Sequence, residues 1–498
     1  MSHRKIATAL TPRSEMMSET NPMQADTSFE LLIDGAGVAG ERHFDVINPA
    51  TEEVVGRAPD CTRSQLDAAV AAARKAFSDW KATPIGERQA KVAAIGDMIA
   101  AHIDDLSRLL TSEQGKPVAR AVEDVGAAPY FCGLSSKLTP PVDIHEDSAE
   151  RLSATYRVPI GVVCAISPWN FPIADSFWKV APALVAGNTV LLKPSPFTPL
   201  TTLRIGALIR DILPPGVLNI LSGGDDLGPW MTSHPGIDKV AFTGSTATGR
   251  RVMQSAAQTL KRLTLELGGN DAAIVLPGID VKATAEKLFG AAFGNTGQVC
   301  FAAKRVYVHD DVYEPFANAL VELGKQAKVG DGSKQGTDFG PVQNRQQFER
   351  LKGLIADSHA NGHNFLLGGD TKTGNKGYFI PITILDNPPE DSRIVQEEQF
   401  GPILPLLRFD DVDVAIDKAN AVEVGLGGSV WGPPEQAEAI AHRLDTGMVW
   451  VNEYGSVAPS QPFGGRKQSG FGVANGMSGL LEFTQPHTIV TSRQAAGA

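Results

Sequence analysis

Residues 161–193 read GVVCAISPWNFPIADSFWKVAPALVAGNTVLLK: two short apolar runs, GVVCAI and NTVLLK, on either side of a helical stretch. Runs that are apolar at nearly every position, rather than at alternate ones, belong to strands covered on both faces. The same register returns in VLNIL (217–221), KVAFTG (239–244) and AAIVLPG (272–278). Strands alternating with helices predict an α/β fold built on a doubly wound parallel sheet. Such sheets take nucleotide-type ligands at the carboxyl ends of their strands, so the residues just after each run are the first place to look for chemistry.

Outward from this block, ELLIDGAG (30–37) and FDVINPATEEVVGRAP (44–59) alternate like hairpin strands with glycine turns. SQLDAAVAAARKAF (64–77) and ERQAKVAAIGDMIAAHIDDLSRLLTSEQ (87–114) space their apolar residues by three and four, which predicts two amphipathic helices, one capped by Ser64 and one stopped at Gly115. Further on, KRVYVH, PLLRF and MVWVN read as strands of a second α/β unit, and FTQPHTIVTS (483–492) as an edge strand that could serve a partner subunit. Residues 1–28 lack an apolar core segment and read as a flexible extension rather than a secretory signal.

Composition narrows the function. The chain has 498 residues, 42% hydrophobic and 20% charged, which suits two or three globular domains. Its net charge of −11 and the absence of a basic run argue against nucleic acid or an anionic membrane as partner. Apolar stretches such as 158–166 fall far short of the roughly 20 residues that span a bilayer. Four cysteines without CxxC spacing form neither a disulfide framework nor a zinc ribbon and fit a reducing, cytoplasmic setting. His359 and His363 flank an Asn-Gly turn signal, and no metal is expected there.

Four motifs carry chemistry. In FGNTGQVCFAA, Gly294 and Gly297 allow close backbone approach and Cys300 follows, at an expected helix start that would stabilise a thiolate. In LTLELGGND, Glu266 sits in an apolar run, where desolvation would raise a carboxyl toward neutral pH and make it a useful base. In ISPWNFP, Asn170 is held between prolines and could donate to a developing oxyanion. FTGSTATG sets Gly244 and Gly249 after a strand and at a helix start, a cradle for pyrophosphate. Arg250 and Arg251 stand where a P-loop needs Lys and Ser/Thr, which disfavours a triphosphatase.

PWNFP, LLKPS, FTGST, ELGGN, GQVC, EEQFGP and PFGGRKQSGFG, occurring in this order from about residue 29 onward, together resemble the aldehyde dehydrogenase superfamily. The resemblance implies the aldehyde dehydrogenase fold: a Rossmann-like cofactor domain over 29–138 and 157–268, a catalytic domain over 269–470, and bridging segments 139–156 and 471–498 that build a homodimer or homotetramer. It implies Cys300 as nucleophile, Asn170 with the Cys300 N–H as oxyanion site, and Glu266 as the base that hydrolyses a thioester. Lys193, Ser195, Glu398 and Phe400 match cofactor positions, as do Trp169, Gly244 and Ser245. Phe171, Trp178, Val299, Phe301, Val457 and Phe463 match an apolar substrate pocket for a medium-sized aliphatic or aromatic aldehyde.

Three features depart from the pattern. Pro196 replaces the carboxylate of the usual KPSE or KPAE, so NAD is expected with NADP also accepted. Val473 and Ala474 replace an Arg-Glu pair after PFGGRKQSGFG. Asp175 falls where the channel is commonly apolar, as an attractor of a cationic aldehyde or as a rim acid satisfied by water or by Lys179. Two other readings remain at this point: acyl transfer to coenzyme A, disfavoured by the presence of Glu266, and a catalytically silent, crystallin-like structural protein.

Overall fold

The computed structural model describes residues 28–371 and 376–494; the expected extension over 1–28 lies, but for its last residue, outside that range. Two large mixed sheets dominate. The first joins Ala36–Val38, Leu31–Ile33, Leu218–Ile220, Thr189–Lys193, Val162–Ile166, Lys239–Thr243, Arg262–Glu266 and Gly470–Phe471, in that order. Its five central strands are parallel and its two ends antiparallel. Four of the central strands are buried along almost their whole length, as strands with helices on both faces must be, and Arg262–Glu266 is buried from Thr264 onward.

The second sheet runs Asn364–Leu367, Thr383–Asp386, Ile403–Phe409, Ala303–His309, Asp271–Val275, Gly427–Trp431 and Met448–Val451. AAIVLPG, read with the first series, belongs to this second sheet, pairing with Ala303–His309 and Gly427–Trp431. Its apolar run does form a strand buried along its length, and nothing local in it specifies which neighbour it meets. A three-stranded antiparallel sheet is built from Asp143–Asp147, Arg151–Pro159 and Thr484–Ser492, with the tail strand at its edge as expected. No helix among the described residues is long and apolar enough to cross a membrane.

The helices differ from expectation in two places. Helix Arg63–Ala82 is capped by Thr62, not Ser64: Thr62 Oγ1 accepts from the Gln65 N–H while Gln65 Oε1 accepts from the Thr62 N–H, a reciprocal capping box. The second predicted helix is two, Ile85–Ala101 and Ile103–Gln114, broken where His102 leaves helical geometry (φ −118°, ψ 19°). Asp104 and Asp105 then stand in the first turn of the new helix, where its dipole favours acids. The apolar spacing continues across the break, so periodicity alone could not show it. Gly115 does end the pair, with φ +93°.

Helix Arg63–Ala82 packs on helix Pro172–Val185 through Trp80, whose indole is 1% exposed and donates to the Leu184 carbonyl at 3.2 Å. Trp80→Ala should cost about 3–5 kcal/mol, read as a lowered denaturant midpoint; a change below about 1 kcal/mol would show that the helix docks by other means.

Candidate active site

The first sheet reverses its strand order around Val162–Ile166: the chain next forms Thr189–Lys193 and Leu218–Ile220 on one side, then Lys239–Thr243 and Arg262–Glu266 on the other. A crevice opens at the carboxyl ends beside such a reversal. Register aligns those ends, since Ile166 pairs with Lys193 and with Phe242, and Thr243 with Glu266. Trp169 and Asn170 follow the first of these strands, Gly244 and Ser245 follow Thr243, and Lys193 and Glu266 are themselves strand ends.

Cys300 is not at a helix start. It lies in a turn between the 3-10 segment Gly294–Gly297 and strand Ala303–His309. Asn295 and Thr296 sit in the left-handed region (φ +49° and +59°), rare for a β-branched residue. Side chains hold the strained loop: Thr296 Oγ1 donates to the Gly340 carbonyl at 3.0 Å, and Gln298 Oε1 accepts from the Gln343 N–H at 2.9 Å. The close approach at Gly297 is to the Gly401 carbonyl rather than to a ligand. The two glycines after Glu266 have the same kind of reason: a Cβ at Gly268 would meet the Glu398 carboxylate, and one at Gly269 the Cys300 carbonyl.

With no helix dipole behind it, the thiol is not lowered. Burial pushes Cys300 up and Lys304 pulls it back, while Glu266, Glu398 and Asp271 add to the rise. The Lys304 ammonium donates to the Val299 and Cys300 carbonyls at 2.8 and 2.7 Å and pairs with Glu398 at 3.2 Å. Burial likewise pushes the Glu266 carboxyl up to about 8, against the opposing charge of Lys179 and with Asp175 and Glu482 reinforcing it. Glu266 is 8% exposed, and its Oε1 accepts no hydrogen bond from the protein.

Asn170 is tied to the cysteine loop, its Nδ2 donating to the Gln298 carbonyl at 3.0 Å. Its own carbonyl accepts from Lys116 Nζ at 2.8 Å and from Asn295 Nδ2 at 3.1 Å. Lys116 is in turn paired at 2.7 Å with Asp124, both side chains fully buried, and Asp124 Oδ1 accepts from the Ala174 N–H. Lys116, Asp124, Asn295 and Lys304 were not found from the sequence. A buried lysine looks like a surface one when no local pattern marks its burial.

The expected cofactor residues gather at the crevice. Lys193 is buried, its ammonium pushed down to about 8 by desolvation, and among the described residues its hydrogen bond is a long one, to the Pro194 carbonyl at 3.4 Å. Ser195 Oγ accepts from the Phe197 N–H, and Pro196 is half-buried beside it. Ser245 caps helix Thr246–Ala257, and the Gly244 N–H donates to the Glu266 carbonyl at 3.1 Å. Trp169 and Phe400 meet edge to face at 5.3 Å, with Phe400 held at φ +53°. Glu398 Oε1 accepts from the Gly269 N–H at 3.2 Å.

Among the pocket residues, Phe463 contacts Trp178 at 5.4 Å and Phe301 at 5.6 Å, and Phe131 stacks on Trp178, a wall the sequence did not assign. Val299 is buried and Val457 half-buried. Phe171 lies under the Lys116 ammonium, 4.2 Å from its ring centroid. Asp175 is satisfied by Lys179 at 2.5 Å, one of the expected alternatives, but it is buried rather than at a rim, and the pairing leaves little free charge to attract a cation.

The family model described as "Aldehyde dehydrogenase family" matches residues 37–489. The chain is similar to a Pseudomonas protein named "Probable aldehyde dehydrogenase", 43% identical over 95% of this chain and 96% of the relative. The NAD+ complex of aldehyde dehydrogenase from Bacillus cereus matches with a TM-score of 0.90 at 34% identity, covering 94% of this chain and 97% of its own. An E. coli NADP-dependent enzyme matches with a TM-score of 0.90 at 33% identity, covering 93% and 98%.

Lys116→Met should leave Asp124 buried without its cation, costing about 3–5 kcal/mol in denaturant unfolding, and should lower turnover by loosening the Asn170 carbonyl. A variant as stable and as active as the parent would remove the pair from both roles.

Proposed function

The chain belongs to the aldehyde dehydrogenase family, and from that premise we propose that it oxidises an aldehyde to the free carboxylic acid through a thioester on Cys300, with Glu266 as the base. The observation that carries this reading is the meeting of three groups at one crevice: the Cys300 loop tied to Asn170 through Gln298, and a buried carboxyl without a protein partner within electrostatic reach of the thiol.

Burial pushes the Cys300 thiol toward its neutral form, so as the sulfur bonds to the aldehyde carbon the thiol proton passes to the Glu266 carboxylate, which releases it to solvent before it acts on water. The carbonyl oxygen gains negative charge as that bond forms, and Asn170 Nδ2 and the Cys300 N–H are the donors assigned to it. A nicotinamide dinucleotide, when bound, supplies the hydride acceptor that turns the thiohemiacetal into a thioester. Glu266 then takes a proton from water, whose oxygen adds to the thioester carbon; the carbon–sulfur bond breaks and the acid is released.

The crevice residues fit such a cofactor. A buried ammonium with one long carbonyl contact, Lys193, has hydrogen-bonding capacity for ribose hydroxyls. Glu398 is assigned to the other ribose, Ser195, Gly244 and Ser245 to the phosphate side, and Trp169 and Phe400 to the nicotinamide side. Pro196 offers no carboxylate against a ribose 2′-phosphate, although the fields of Asp225 and Asp60 reach Lys193. NAD is therefore the preferred cofactor and NADP an accepted one. The aromatic wall of Trp178, Phe301 and Phe463 suits a medium-sized aliphatic or aromatic aldehyde. We further assign a homodimer or homotetramer to the edge of strand Thr484–Ser492, on which Ile489 and Val490 are exposed.

Cys300→Ala should abolish dehydrogenation while leaving cofactor binding intact, and Glu266→Gln should give one burst of reduced cofactor and then stall. Equal steady turnover in the glutamine variant would remove Glu266 from its role, and product released only with coenzyme A would favour acyl transfer. Only the ionised carboxylate is a base, so kcat should climb as pH rises through about 8; a profile already level below about pH 7 contradicts this. The ratio of kcat/KM for NAD over NADP should stay below roughly a thousandfold, and a larger ratio would show that Pro196 does not relax the choice.

A further inference from the structure

Helix Pro172–Val185 carries two charges one turn apart, Asp175 and Lys179, both buried. The Lys179 ammonium donates to Asp175 Oδ2 at 2.5 Å, to Thr243 Oγ1 at 2.7 Å and, at 3.4 Å, to the Asp175 carbonyl. Thr243 is the register partner of Glu266 on the neighbouring strand. Lys179 is therefore a cation beside the proposed base, yet its hydrogen bonds go elsewhere and Glu266 Oε1 stays without a protein partner.

We propose that Asp175 is a positioning residue: by holding the Lys179 ammonium in a buried ion pair it keeps that cation off the Glu266 carboxyl, which stays a stronger base than it would be beside a free lysine. The inference rests on the proposed role of Glu266. The charged and titratable groups whose fields meet Glu266 are Lys179 and Asp175 from this helix, Glu482 from the C-terminal segment and Cys300 from the catalytic loop. Glu482 is itself shared with Lys239 at 3.6 Å, and Lys304 and Glu398 lie behind Cys300. Among them Lys179 is the cation that lowers Glu266, so what Lys179 is paired with sets how far the carboxyl's affinity for a proton can fall.

The test is the pH dependence of kcat with saturating aldehyde and NAD. Asp175→Asn keeps the side-chain shape and frees Lys179, and should move the acid limb down by about one pH unit. Asp175→Glu, which keeps the charge, should return it toward the parent's position. If Asp175→Asn does not fold, Asp175→Leu carries the same expectation. A role confined to helix stability would lower turnover and the melting temperature while leaving the limb in place. An unmoved limb in a folded neutral variant, with Glu266→Gln still stalling after its burst, overturns this proposal and leaves the base assignment standing. A Glu266→Gln variant with full steady turnover takes both down.

Discussion

The reversal of strand order beside Val162–Ile166 is the constraint from which the site follows. Strands entered in opposite senses on its two sides carry their connecting helices to opposite faces, and the loops at their carboxyl ends part. Four strand ends, Ile166, Lys193, Thr243 and Glu266, are brought side by side by register. The second sheet then delivers Cys300 from the turn ahead of its strand Ala303–His309. Gly268 and Gly269 make that delivery possible, because side chains there would collide with Glu398 and the Cys300 backbone.

Desolvation sets the electrostatic character of the crevice. Cys300 and Glu266 are pushed toward their protonated forms and Lys193 toward its unprotonated one, all with burial as the largest cause. At rest the reacting groups are closer to neutral than free side chains would be. A buried site of this kind favours charge only where partners are supplied, and the partners here, Lys304 beside the thiol and Lys179 beside the carboxyl, are both engaged with other acceptors. On the proposed mechanism, turnover therefore depends on where those two ammonium groups are held as much as on the proposed nucleophile and base themselves.

Much of this was legible in the sequence because it is local. GVVCAI, NTVLLK and KVAFTG are strands, and the residues after them reach the crevice, since burial on both faces leaves an uninterrupted apolar run. The kind of chemistry was legible from motif order. What escaped depends on contacts distant in the chain: Lys116, paired with Asp124 eight residues on, meets the Asn170 carbonyl 54 residues away where helix Val118–Ser135 packs beside helix Pro172–Val185. The helix start expected at Cys300 failed because glycine spacing does not distinguish a helix N-terminus from a strained turn held by Thr296 and Gln298.

The central claim is that one sulfur carries the acyl group. Intact-protein mass spectrometry of the Glu266→Gln protein, quenched after mixing with an aldehyde and NAD and followed by peptide mapping, tests it most directly. The account predicts one added acyl group per subunit, located on Cys300 and lost in Cys300→Ala. An unmodified protein after a full burst of reduced cofactor, or an acyl group on any other residue, would contradict it.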